Sequence, residues 1–218
     1  MKKNVLILAV GAVFLSSLPV GANLITYGTT TPIPSTLTDW SSTLSFPQFN
    51  PSLGTLNRVT LDLSGGFTTV LTVQNSSPTG SSGSAWTEIQ FRVQDGGNNL
   101  TAPEMDLFSN AFGYSLGAGG SVTSGTLSKN GSSSDTYTAG VVLAEFTGLG
   151  SIVLPASTFT QTLLANTGGN TGASQVTRAQ LTGSVTYDYT PSVPDGGATM
   201  ILLGMALAGT ALLRRRFA

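Results

Sequence analysis

Val59-Thr60-Leu61-Asp62-Leu63 alternates apolar and polar side chains at every step. A period of two is what a strand needs when one face meets a core and the other meets water. Phe67, Thr69, Leu71 and Val73 continue the theme, Ile89, Phe91 and Val93 alternate with Glu88, Gln90 and Arg92, and Val185, Tyr187 and Tyr189 alternate with Thr186 and Asp188. Clusters of Gly, Ser, Asn and Thr at 64–66, 76–84, 95–99, 128–135 and 167–172 read as turns between such strands. The first strand is predicted at 24–29 and the last at 183–190. No stretch between them keeps a helical repeat, and no strict internal repeat suggests a solenoid or propeller. The expected fold is all-β: a single β-sandwich or jelly-roll-like ectodomain at 23–191, flanked by an N-terminal signal helix and a C-terminal transmembrane helix.

Both ends break the pattern. Lys2 and Lys3 precede an apolar run at 5–15, Ser16, Ser17 and Pro19 interrupt it, and Val20-Gly21-Ala22 offers small residues for cutting after Ala22. Charge, length and cleavage chemistry make 1–22 a secretory signal peptide, with signal peptidase as its partner. At the other end, 192–218, Val193-Pro194-Asp195-Gly196-Gly197 leads into the 16 apolar residues 198–213, and Arg214-Arg215-Arg216 follows. As a helix that run rises about 24 Å, at roughly 1.5 Å per residue. A bilayer core is about 30 Å thick, and flanking glycines and snorkelling arginine stems cover most of the difference. The arginines resist translocation and form a basic stop on the cytoplasmic side. Physics alone leaves an ordinary permanent anchor equally open.

Composition narrows the chemistry of what lies between. Outside the two ends only Arg58, Arg92, Lys129 and Arg178 are basic, against nine acidic residues, so the ectodomain carries about −5. A charge-poor, mildly acidic surface argues against nucleic-acid binding. The chain has neither cysteine nor histidine. A disulfide framework, a thiolate nucleophile, a His/Cys zinc site and a Ser-His-Asp triad are therefore all excluded, and no cofactor is expected.

The tail resembles the PEP-CTERM class of bacterial sorting tails, and most closely its VPDSG-type variant. Val193, Pro194, Asp195 and Gly197 match that variant, while Gly196 stands where it has Ser. The resemblance implies recognition by an exosortase, an integral-membrane enzyme that removes the tail, in a host that makes extracellular polysaccharide. It also implies a chain that is membrane-anchored before processing and then held at the cell surface or in the extracellular matrix. A second resemblance covers most of 24–191. The block from Asp39-Trp40 through Phe46-Pro47-Gln48-Phe49-Asn50-Pro51-Ser52-Leu53-Gly54-Thr55-Leu56 is similar to the opening of the choice-of-anchor E domain. Phe146-Thr147-Gly148-Leu149-Gly150, Val153-Leu154-Pro155 and the closing Val185-Thr186-Tyr187-Asp188-Tyr189-Thr190-Pro191 resemble its later segments. That family's name reports anchor variety and implies no activity.

Few residues offer themselves as a ligand site. Trp40 and Trp86 could stack on sugar rings, although packing at a core or strand edge is the commoner role of a lone tryptophan. Glu104 and Asp106 could form a carboxylate pair of the glycosidase kind, or be solvated acids after Pro103. Asp95-Gly96-Gly97-Asn98-Asn99 could offer oxygens to calcium, yet lacks the acidic repeat of a calcium loop and suits a hairpin turn better. The expectation is a non-catalytic secreted protein, structural or adhesive in exopolysaccharide or biofilm. A carbohydrate-binding module is the alternative, with a carboxylate-only hydrolase behind it.

Overall fold

The computed structural model of the protein describes residues 22–100, 104–192, 203–205 and 207. Its strands in chain order are β1 (Asn23–Gly28), β2 (Ile33–Leu37), β3 (Ser41–Pro47), β4 (Gly54–Asn75), β5 (Ser81–Val93), β6 (Glu104–Phe108), β7 (Phe112–Leu116), β8 (Ser121–Thr123), β9 (Leu127–Tyr137), β10 (Ser151–Thr167) and β11 (Thr171–Pro191). A 3-10 turn at Pro51–Leu53 precedes β4, and one short helix, α1 (Gly140–Glu145), precedes β10. The strands form two antiparallel sheets. The first runs β1-β11-β4-β8, with β2 also on β11 and β9 also on β4; the second runs β3-β10-β5-β6, with β7 also on β5. The expected all-β sandwich is thus observed.

The two longest strands organise the first sheet. β4 has 22 residues, β11 has 21, and they pair from Thr171 opposite Asn75 down to Pro191 opposite Gly54. From Val59 to Val73 the inward positions of β4 keep one phase: Val59, Leu61, Leu63, Phe67, Thr69, Leu71 and Val73 are all buried. The predicted turn at 64–66 is therefore wrong, since these residues lie inside β4, paired with β11 on one side and β9 on the other. Glycine serves close approach here. A Cβ on Gly65 would lie 2.5 Å from the Met105 Cε of the opposite sheet, and one on Gly131, its β9 partner, would strike Leu107. Residues 81–84 and 128–135 are likewise strand, in β5 and β9. The turn at 95–99 and the tight part of 167–172 hold, with Gly168 and Gly169 at φ 74° and 60°.

The core is in two parts. The larger holds Phe46, Phe49, Phe91, Phe146, Leu154, Leu181 and Tyr187, and the smaller holds Leu71, Val73, Ala85, Tyr114 and Leu116. Buried hydroxyls also bridge the sheets. Thr87 of β5 donates to Gln175 Oε1 at 2.8 Å, as does Thr177 at 3.2 Å, while Thr69 lies 2.8 Å from Thr177 and 3.1 Å from Thr87. With both neighbours donating to the amide, the single Thr69 proton serves one of them at a time. Satisfied in this way, three buried hydroxyls cost the interior little.

Candidate functional site

The tail leaves from the last strand of the sandwich. β11 stays paired through Pro191, and the Ser192 N–H then donates to the Leu53 carbonyl at 3.0 Å, its hydroxyl to the Ser52 carbonyl at 3.2 Å. The receiving turn is fixed by its own sequence. Asn50 Oδ1 accepts the Ser52 N–H at 2.9 Å, Pro51 pre-sets the next dihedral, and Gly54 takes φ 150°, where a Cβ would run into the Thr190 carbonyl. Asn57 bulges out of the β4 register beside Tyr189, and its amide donates to Thr190 Oγ1 at 2.9 Å. The chain is thus held rigidly up to the residue before the sorting motif.

Val193, Pro194, Asp195, Gly196 and Gly197 lie outside the described residues, as do Arg214, Arg215 and Arg216. Of the expected membrane helix at 198–213, Leu203, Gly204, Met205 and Leu207 are described; they are helical, and their side chains are exposed. No helix among the described residues is long and apolar enough to cross a membrane. Ala22 is exposed and immediately precedes β1, so a cut after it leaves that strand whole. The expected signal peptide before it lies outside the described residues.

The two tryptophans differ. Trp40 is half-buried against the core, edge-on to Phe91 at 6.4 Å between ring centroids, and its Nε1 is buried with no hydrogen-bond partner among the described residues. The segment is pinned to β10: the Trp40 carbonyl accepts the Thr158 N–H at 3.1 Å, and Asp39 Oδ1 accepts the Thr160 N–H at 2.9 Å. Trp86 stands on the outer face of the second sheet, half-buried like Trp40, between Ser84 and Glu88 on β5 and opposite Leu163 of β10. Glu88 accepts a hydrogen bond from Gln161. Phe108 and Phe159, about half exposed, sit on flanking strands, opposite Glu88 and Gln90 respectively. The fold therefore assembles one open strip of aromatics, amides and a carboxylate. Sequence reasoning found only Trp86 of it, because the strip is made by register between distant strands.

Glu104 and Asp106 lie on β6, not in a loop, and share its outward, solvent-exposed face, with Arg92 Nε 3.3 Å from Glu104 Oε1. Asp95 is buried where β5 ends; its Oδ1 accepts the Leu100 N–H at 3.1 Å, and Asn99 Nδ2 bridges Asp95 Oδ2 at 3.0 Å and Glu145 Oε1 at 2.7 Å. Burial raises the Glu145 carboxyl above its ordinary range, and the neighbouring Asp95 adds to this. Burial acts upward on Asp95 too, but the hydrogen bonds from Leu100, Asn99 and Glu145 outweigh it and hold that group low. The pair closes a loop against α1. Among the described residues no group of three or more acidic, histidine or cysteine side chains could hold a metal. A depression of about 510 Å³ lies over the outer face of the first sheet between Pro34, Asn130 and Gln180.

Residues 192–217 match the VPDSG-CTERM motif. A tail of this class implies processing by an exosortase-like membrane enzyme and is consistent with secretion to the cell surface or beyond. No curated protein matches the chain. Among solved structures, a chain of the T13 IBDV viral particle is 12% identical over 85% of this chain and 44% of its own length, at a TM-score of 0.21. A chain of mud crab tombus-like virus is 9% identical over 93% of this chain and 96% of its own, at a TM-score of 0.23. This chain spans less than half the length of the first.

Proposed function

We propose that this protein is a non-catalytic, exosortase-sorted surface protein: exported by its leader, held briefly in the inner membrane by its tail, then released or transferred to the cell surface or matrix. One observation carries the reading, the match of 192–217 to the VPDSG-CTERM motif. The rigid hold on Ser192 supports it, because the motif then starts as soon as the sandwich stops. The resemblance of 24–191 to the choice-of-anchor E domain belongs to the same proposal, as does a structural or adhesive role in exopolysaccharide or biofilm. In the native host, Asp195→Ala and removal of Arg214–216 should each leave the tail uncleaved, seen on an immunoblot as the larger, tail-bearing form. Normal maturation of both variants refutes the sorting reading.

A second reading, carbohydrate binding, is favoured by the strip around Trp86. Aromatic faces beside amides and a carboxylate suit the apolar faces and hydroxyls of sugar rings. A glycan array probed with the purified ectodomain tests it: retained glycans lost on Trp86→Ala support binding there, and an array without retained glycans leaves the passive structural role.

A further inference from the structure

The end of the sandwich from which the tail leaves is also its apolar end. Three segments meet there. β1 begins there, since Asn23 pairs with Tyr189. The turn Pro51–Leu53 holds Ser192 through the Leu53 carbonyl. The loop at 146–150 joins them, with the Gly148 N–H donating to the Phe49 carbonyl at 2.9 Å and the Phe49 ring lying 5.1 Å from that of Tyr189. This end exposes Leu24 (68%), Leu53 (38%) and Leu149 (84%). The opposite end consists of turns at 76–80, 117–120 and 168–170, built from Ser, Thr, Pro, Gly, Ala and Asn with no large apolar side chain.

The leash fixes what this end faces. Only residues 193–197 separate the sandwich from the apolar run beginning at 198, and five residues span at most about 18 Å when fully extended. Both chain ends that carry hydrophobic segments, Ala22 and Ser192, leave from this one end. We propose that, while the tail is attached, the sandwich stands on the bilayer with this end down, Leu149, Leu53 and Leu24 reaching the interfacial layer. The inference rests on the reading of 198–213 as membrane-inserted. Contact is made by apolar side chains and not by a basic patch: Arg58, the cation nearest the exit among the described residues, already faces Asp188 at 3.9 Å. The tether supplies the high local concentration that lets so small an apolar patch engage. Cutting the tail removes that tether, and the few leucines alone do not retain the domain. The sorting motif would thus be presented to a membrane enzyme at a set height, and the product would leave on its own.

The native chain has no cysteine, so single cysteines at Leu149, Ala118 and Leu207 can each carry an environment-sensitive fluorophore in the full chain reconstituted into zwitterionic phospholipid vesicles. Leu149 and Ala118 are exposed, so the fold tolerates both labels. Quenching by a nitroxide on the lipid should be several-fold stronger at 149 than at 118 at the far end, and strong at 207. Strong quenching at 207 with equal, weak quenching at 149 and 118 overturns the inference and leaves the tail reading intact. Weak quenching at 207 removes both.

Discussion

Tyr187 shows how much of the fold one side chain holds. It is fully buried, its ring touches Tyr27, Phe49 and Phe146, and its hydroxyl donates to the Pro47 carbonyl at 2.7 Å, tying the last strand of one sheet to the first strand of the other. Tyr187→Phe keeps the packing and loses the bond, which should lower stability by about 1–2 kcal/mol in urea unfolding. An unchanged midpoint would mean that the hydroxyl carries nothing. Glu145 makes a pH prediction. Its folded pKa lies above the ordinary 4.5, so the folded state holds the proton more tightly, and stability present below that value is lost as pH rises through the folded pKa. Glu145→Gln mimics the neutral form and can still accept from Asn99. The variant should be more stable than its parent at pH 7 and no more stable at pH 4. An equal gain at both values contradicts the assignment. Burial also pushes the Tyr137 hydroxyl up to about 12, so its contribution is full below pH 10 and is lost as pH rises through the folded pKa.

At the scale of elements, strand alternation was legible and strand length was not. Val59, Leu61 and Leu63 and then Phe67, Thr69, Leu71 and Val73 are buried in one unbroken phase. A turn at Ser64-Gly65-Gly66 has no need to preserve that phase, so its continuity across the glycines is the sequence signal of a single strand. The composition misled because glycine marks close backbone approach as well as turns. Here it makes room for Met105 and Leu107 where β6 and β9 close one side of the sandwich. Gly131→Val should therefore displace Leu107 and cost roughly 1–3 kcal/mol, the range for overpacking a core. Gly113→Val, on an exposed edge where a Cβ meets nothing within 4 Å, serves as the comparison. Equal thermal shifts in the two variants would remove the packing explanation. The pairing of Asp95 with Glu145 through Asn99 was not legible either, because α1 is only six residues long and its place beside the loop is set by the tertiary fold.

For the whole molecule, the tail was the most readable part of the chain, because the motif at 192–217 is a linear signal that acts apart from folding. The sandwich adds what a linear signal cannot hold. It brings Ala22 and Ser192 to one end, anchors the latter to the turn at Pro51–Leu53, and rings that end with exposed leucines. The aromatic strip at Trp86 lies instead along the outer face of the second sheet, away from the end at which Ser192 is held. The most direct measurement is intact-mass and terminal-peptide mass spectrometry of the mature protein from its native host. The account predicts a chain that begins at Asn23 and has lost the apolar run and arginines from 198 onward; a mature chain that keeps residues 198–218 would contradict it.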